Sequence, residues 1–313
     1  MKVHYGISTY QNVKNPVLTV GTFDGVHFGH QKIINRLCNI ASEINGESVL
    51  LTFDPHPRSV LFKSQSVKLI NTLDEKIKLL ETLGLDHLVI YPFTENFSKL
   101  SGKDYVEKHL VNELNVHTLV IGYDHHFGCD RTGNIDLLRQ MQKDQGYHLE
   151  EISAHEIDEI SISSTKIRSA ISDGNIELVK NFSGSNYFIT GKVKKGDGIG
   201  KTIGFPTANI SLKNSDKIIP RHGVYAVKVI IEKKSFDGII NIGIRPTIDH
   251  LPNELRLEVH LFNFNKSIYG EIIRVNLIRM IRNEVKFPDI ESLKNQITID
   301  CEKAKNILLS KSD

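Results

Sequence analysis

The chain has 313 residues, of which 40% are hydrophobic and 24% charged, with a formal net charge of +2. This composition is ordinary for a globular chain long enough for two domains, and the near-neutral balance offers no electrostatic case for nucleic-acid or membrane binding. Cys38, Cys129 and Cys301 lie far apart without metal or redox spacing, residues 1–12 lack the apolar core of a secretion signal, and no apolar run approaches a membrane span. A cytoplasmic location with reduced thiols is expected.

The first predicted element is a buried strand over Val17–Val20. Gly21, Gly25 and Gly29 follow, and their lack of a side chain lets backbone approach phosphates closely. His27 and His30 fall at the mouth of a helix starting near Gly29, where free N–H groups and the helix dipole attract anions. Such a site suits a triphosphate and the charge that builds on its α-phosphate as pyrophosphate leaves. A second strand, Ser48–Phe53, runs into Asp54-Pro55-His56-Pro57, which reads either as a site or as a proline-locked turn. Thr72–Leu83 is predicted as a helix: Thr72 and Glu75 form a capping box, Leu73, Ile77, Leu79, Leu80 and Leu83 build its apolar face, and Gly84 stops it. Strands at His87–Tyr91 and Thr118–Gly122 and a helix at Asn134–Gly146 continue the alternation. The fold class expected is α/β, with a doubly wound parallel sheet whose ligands bind beyond the carboxyl ends of the strands.

Asp124, His125 and His126 are adjacent after the Thr118–Gly122 strand and invite a metal reading. Neighbouring loop residues seldom all face one ion, so Asp124 is preferred as a substrate contact. Ile162–Arg168, ahead of a helical stretch at Ser169–Ile171, offers hydroxyls, N–H groups and two cations. That pattern is a second phosphate cradle or a plain N-cap with surface bases.

After about Gly184 the pattern changes to short β-rich runs: Phe188–Val193, Val224–Ile231, Phe236–Ile242, Leu255–Phe264 and Ile272–Ile278. Separated by Gly, Pro and Asn, they predict a small antiparallel β-barrel, closed by a terminal helix over Ile290–Leu309. The boundary falls in the polar segment 182–186, giving domains 1–184 and 185–313. Gly191–Thr202 resembles a P-loop but has Lys195 where the motif needs glycine, so it reads as a glycine-rich basic loop, with Gly196 and Gly198, suited to covering phosphates. In Gly204–Ile210, an extended backbone puts Thr207 and Asn209 on one face. Their oxygens suit Mg²⁺ near phosphates, and the alternative is a β-edge with a proline stop. On Leu255–Leu261, alternation buries Leu255, Leu257, Val259 and Leu261 and presents Arg256, Glu258 and His260 on the other face. Glu258 is either solvated or positioned to orient and deprotonate an alcohol. With a reference pKa of about 4 a carboxylate is a weak base, so positioning and Mg²⁺ must do most of that catalysis.

The segment Gly21–Gln31 resembles the nucleotidyltransferases that carry a His-x-Gly-His signature. Taken in order, Gly21–Gln31, Thr52–Pro57, Ile121–Gly128, Ile162–Arg168, Gly204–Ile210, Gly223–Val227, Asn241–Thr247, Leu257–Phe264 and Ile268–Gly270 resemble the successive signatures of bacterial bifunctional riboflavin kinase/FAD synthetases. The resemblance spans about Val17 to Asp300. It implies that the C-terminal barrel phosphorylates riboflavin to FMN with ATP. The N-terminal domain would then transfer AMP from a second ATP to FMN, giving FAD and pyrophosphate. It implies catalytic roles for His27, His30 and Glu258. Gly21, Phe23, Asp24, Gly29, Ser164, Thr165, Arg168, Gly196, Gly198, Thr207 and Asn209 would hold nucleotide or phosphate. Asp124, Gly243, Arg245 and Thr247 would meet the flavin or line its cleft, and Thr207 and Asn209 would carry Mg²⁺. The partners implied are small molecules (riboflavin, FMN and ATP), with no nucleic acid, membrane or obligate protein partner.

Lys195 stands where His is common in this family, Lys201 and His126 where Arg is common, and Asn263 where Asp is frequent. Lys keeps the charge but loses bidentate phosphate geometry, which touches rates and affinities rather than activity. Two further readings are a chain with one surviving activity and a flavin-sensing regulator. The intact His27/His30 and Thr207/Asn209/Glu258 sets disfavour the first. The neutral charge and lack of a DNA-binding helix pair disfavour the second.

Overall fold

The computed structural model describes residues 1–62, 67–123, 125–129, 132–153, 162–196, 198–214, 216–245 and 254–310. Its packing divides into two units, Met1–Ser164 and Thr165–Asp313.

The first unit is built on strands β1 (Lys2–Tyr5), β2 (Val17–Val20), β3 (Ser48–Asp54), β4 (His87–Pro92), β5 (Thr118–Gly122) and β6 (His148–Ile152). They form one sheet in the order β1-β4-β3-β2-β5-β6, with every pairing parallel. Alternate strand residues supply two separate cores. Val17, Leu50 and Leu88 face Ile34 and Leu37 of the Phe28–Glu43 helix and Leu80 of the Leu73–Glu81 helix. Leu18, Val49, Leu51, Val89 and Leu119 face Leu110, Leu138 and Met141 on the other side. With both faces covered, the central strands read as continuous apolar runs, which is why they were legible in sequence. The edge strands β1 and β6 were not expected. Their sequences, Lys2–Tyr5 and His148–Ile152, are largely polar and half exposed, so no periodic signal marks them.

The expected capping box is present: the Glu75 N–H donates to Thr72 Oγ1 (3.3 Å) and the Thr72 N–H to Glu75 Oε2 (3.1 Å). The strand order turns back between β2 and β5, so a crevice opens there beyond their carboxyl ends, the ordinary ligand position in such sheets.

The second unit opens with helical turns. The helix Ser164–Ser172 begins five residues before the expected stretch at Ser169, so Ser164, Thr165 and Arg168 lie within its first turns rather than ahead of it. Ile167, Ala170 and Ile171 are its buried residues, a helical spacing that starts at the motif itself. A helix Ile176–Ser183 follows and stops at Gly184, which takes the left-handed conformation that glycine adopts without strain.

The barrel comprises β7 (Phe188–Lys194), β8 (Ala208–Ser211), β9 (Gly223–Ile231), β10 (Lys234–Arg245), β11 (Glu254–Leu261) and β12 (Ile272–Asn283). It closes in the order β10-β11-β8-β7-β12-β9, antiparallel throughout. Ile240 pairs with both Tyr225 and Val259, Ile242 with Leu257, and Val229 with Val275, which fills the interior with branched side chains. The opposite row, Val224, Ala226 and Ile239, packs outward against Cys301, Ala304 and Leu308 of the terminal helix Ile290–Leu309.

One alternation expectation is corrected: Leu255 is 37% exposed while Leu257 and Val259 are buried. Leu255 sits one residue into β11, opposite Ile244, which is equally exposed, so among the described residues nothing covers this end of the β10–β11 ladder.

Candidate functional site

The first cluster forms on the loop after β2. The Gly21 N–H donates to the Leu51 carbonyl (3.0 Å), continuing the β2–β3 ladder into the loop. The backbone then takes positive φ at Phe23 (47°), Gly25 (88°) and Val26 (37°). For a β-branched residue such as Val26 this is an uncommon, strained conformation, and surroundings must hold it. Three contacts do so. The Asp24 carboxylate, 4% exposed, accepts the N–H of Ile70 (3.0 Å) and of Asn71 (3.2 Å). Ser164 Oγ donates to the Asp24 carbonyl (2.9 Å). Lys76 Nζ donates to the Thr22 carbonyl (3.1 Å). A Cβ on Gly25 would lie 2.9 Å from the Ile70 side chain, which ties that glycine to its place.

This loop delivers His27 as N-cap of the Phe28–Glu43 helix, its Nδ1 accepting the His30 N–H (3.4 Å). A nitrogen that accepts carries no proton, so in the neutral ring the proton is on Nε2 and is available to a ligand. His30, one turn on, stacks on His27 with ring centroids 3.7 Å apart and leans on Phe23 at 4.6 Å. Burial holds the His27 imidazole down at about 4 against the pull of Asp24. Burial first, then the neighbouring His27 and Lys76, holds His30 well below the ordinary histidine range. Both rings are therefore neutral at pH 7 and lie at a helix N-terminus. Nδ1 of His30 is buried without a hydrogen-bond partner, as is Oδ1 of Asn71 beside Asp24. Buried polar atoms left unpaired next to a strained loop mark this helix mouth as a candidate ligand site.

Of the residues singled out in this unit, Gly21, Phe23, Asp24, His27, Gly29, His30 and Ser164 converge on this loop and helix mouth. Asp24 acts there through its carboxylate on the Ile70–Asn71 backbone, and Thr165 and Arg168 follow Ser164 along its helix. Asp124 lies outside the described residues.

The second cluster lies on the outer wall of the barrel. A cavity of about 290 Å³ is lined by Gly198, Thr207, Asn209 and Glu258 among others. The register explains the convergence: Glu258 on β11 pairs with Asn209 on β8 and with Asn241 on β10, so the three share a face. Arg256 Nη1 donates to Glu258 Oε1 (3.3 Å), and His260 Nδ1 donates to the Pro206 carbonyl (2.9 Å), fixing the segment that carries Thr207. The glycine loop presses on the same side chains. A Cβ on Gly196 would collide with the Asn209 amide, and one on Gly200 with the Phe205 carbonyl.

The terminal helix supplies the far wall with Leu293, Ile297 and Asp300. Asp300, 1% exposed, receives Arg282 Nε (2.9 Å) and Gln296 Nε2 (2.9 Å). The sequence offered no role for this helix, because its apolar spacing reports only that one face is buried and not what the face covers. Gly243 lies on β10 opposite Arg256, where a Cβ would strike the Glu284 carboxylate. Arg245 ends β10, and Thr247 lies outside the described residues. Among the described residues no cluster of His, Cys, Asp and Glu has metal-binding geometry. The oxygens of Thr207 and Asn209 on one cavity are nevertheless hard donors of the kind Mg²⁺ takes, with the Glu258 carboxylate beside them.

Lys76 was missed in the sequence. It stands in an amphipathic helix, where an isolated lysine reads as solvent-facing, yet it is 8% exposed and bonded to the loop.

The chain matches the FAD synthetase family over residues 9–166 and the riboflavin kinase family over residues 183–308. It is 40% identical over 309 residues to a bifunctional riboflavin kinase/FMN adenylyltransferase of Buchnera aphidicola subsp. Schizaphis graminum, covering 97% of this chain and 98% of that one. It is also 40% identical over 289 residues to the Haemophilus influenzae protein of the same description, covering 92% of each. A solved structure from Streptococcus pneumoniae, described as a macrolide-efflux protein, superposes with a TM-score of 0.87 at 28% identity over 97% of this chain and 99% of that one. Among the described residues here, no helix is long and apolar enough to cross a membrane.

Proposed function

The chain belongs to the family of bifunctional riboflavin kinases/FMN adenylyltransferases, and from that premise we propose which of its residues perform each reaction. It phosphorylates riboflavin to FMN with ATP and adenylylates FMN to FAD. We assign adenylyl transfer to residues 1–184 and phosphorylation to residues 185–313. Gly184 ends a helix just where the second family match begins, which supports that boundary.

In adenylyl transfer, a phosphate oxygen of FMN attacks the α-phosphorus of ATP and the bond to the bridging oxygen breaks, releasing pyrophosphate. His27 and His30 would donate to the oxygens on which charge builds, helped by the free N–H groups of the helix start. Gly21, Phe23 and Gly29 would shape the backbone against the phosphates, with Asp24 fixing the loop and Ser164, Thr165 and Arg168 holding the triphosphate. Asp124 remains assigned to the flavin side. The observation that carries this reading is the stacked, buried His27–His30 pair with an unpaired Nδ1 at a helix mouth.

In phosphorylation, the ribityl 5′ oxygen of riboflavin attacks the γ-phosphorus, the β–γ bridging bond breaks, and the hydroxyl proton passes to the Glu258 carboxylate. Thr207 and Asn209 would hold Mg²⁺ with the nucleotide, and the metal when bound neutralises charge on the transferring phosphate. Gly196 and Gly198 would close over the phosphates, while Gly243, Arg245 and Thr247 would line the flavin side. A cytoplasmic location and small-molecule partners alone complete the proposal.

Product chromatography after mixing the protein with riboflavin, ATP and Mg²⁺ tests the order of events. FMN appearing before FAD is expected. FAD formed from riboflavin without FMN ever accumulating or being released would overturn sequential use of two separate sites.

A further inference from the structure

Lys76 is a buried cation in the Leu73–Glu81 helix, 8% exposed, where Glu75 and Leu80 are buried beside it. Its Nζ donates to Thr52 Oγ1 (2.9 Å) and to the Thr22 carbonyl (3.1 Å), and Thr52 Oγ1 donates to the same carbonyl (3.2 Å). The three groups close a triangle between the end of β3 and the loop that delivers His27. Burying an ammonium is costly, and an apolar residue of the same length would fill the volume without that cost. Its presence therefore needs a reason beyond the core.

The neighbourhood supplies one. Thr22 immediately precedes the positive-φ run at Phe23, Gly25 and Val26, which needs fixing from below. The charged and titratable groups facing Lys76 are Asp24 from the loop, Asp54 from the end of β3 and His30 from the helix on that side of the sheet. Glu75, its neighbour on the same helix, accepts the Thr72 N–H of the capping box. The two carboxylates keep Lys76 charged despite burial, which brings it down to about 8. That charge in turn opposes a proton on His30.

We propose that Lys76 is a positioning residue for adenylyl transfer: its ammonium pins the Thr22 carbonyl and the Thr52 hydroxyl under the loop that delivers His27 and His30. The proposal rests on the reading of His27 and His30 as the adenylyl-transfer site. It extends that site to a helix that the sequence marks only by its capping box and apolar face.

The test uses the full-length chain and measures kcat and KM for adenylylation of added FMN at pH 7, with phosphorylation of riboflavin in the same preparations. Lys76→Met should lower kcat/KM for adenylylation by about tenfold or more, with the loss in kcat and KM for FMN within about twofold, because a displaced loop misplaces the groups that act on the transition state. Phosphorylation of riboflavin should stay within about twofold of wild type. Lys76→Arg, which keeps the charge and the donors, should recover most of that kcat. An unchanged kcat in a folded Lys76→Met overturns the proposal, as do equal loss of both activities and a Lys76→Arg no better than Lys76→Met. Should Lys76→Met fail to fold, Lys76→Gln gives the same comparison. His30→Ala separates the two failures. If it abolishes adenylylation while Lys76→Met leaves kcat unchanged, only the role of Lys76 falls. If it leaves adenylylation intact, the site reading itself falls.

Discussion

Single residues carry the chemistry here through burial rather than through charge. His27 and His30 are kept neutral by desolvation, and the sign of the consequence follows. The folded-state value for His27, about 4, lies below the unfolded value of 6.5, so between these pH values the unfolded chain takes up the proton first. The stabilisation is complete above about pH 6.5 and is lost as pH falls towards 4, by up to roughly 3 kcal/mol for this group. His27→Gln should flatten that part of the stability-against-pH curve, measured by urea unfolding followed by circular dichroism. A curve parallel to wild type would mean that His27 titrates normally. On the barrel, Glu258→Gln keeps shape and removes the proton acceptor. It should cut riboflavin phosphorylation by about 10² to 10⁴-fold while leaving adenylylation of added FMN unchanged. Near-normal phosphorylation would take Glu258 out of the mechanism.

At the scale of elements, the glycine loop and the strand register matter more than any one motif. Thr207 and Asn209 reach the cavity because β8 pairs with β11 at Asn209–Glu258, and because Gly196 and Gly200 lie close against them. Gly200→Ala puts a methyl group into the Phe205 carbonyl, which backbone must yield to. A destabilisation of about 1–3 kcal/mol in the barrel is expected, with a fall in phosphorylation and none in adenylylation. Thermal unfolding and the two assays on one preparation check it. Unchanged phosphorylation would show that this loop does not set the Thr207 position. The terminal helix is likewise an active wall, its Asp300 clamped by Arg282 and Gln296.

For the whole molecule, two units of opposite construction follow one another in one chain: a parallel sheet with both faces covered, and a closed antiparallel barrel. Each has its own candidate phosphate chemistry and its own oxygen or imidazole donors. Both proposed reactions handle ATP phosphates, so chelation with EDTA should silence both, and returning Mg²⁺ should restore both. One activity persisting in EDTA would assign the metal to the other unit alone.

The sequence by itself determined the class of each half. Runs such as Val17–Val20 and Leu50–Leu51 are apolar because strands buried on both faces must be, and the Thr72–Glu75 box and the alternation at Leu257–Leu261 are local patterns needing no partner. It also marked His27, His30, Thr207, Asn209 and Glu258, since their residue types and spacing carry chemistry. Only the tertiary structure decided what depends on long-range approach. Lys76 turns inward to Thr22, 54 residues away. Asp24 is engaged by the backbone at Ile70 and Asn71. The polar edges β1 and β6 complete a sheet, and a terminal helix becomes a cavity wall. Those outcomes are fixed by which surfaces remain to be covered once the local elements have formed, a quantity that no window of neighbouring residues contains.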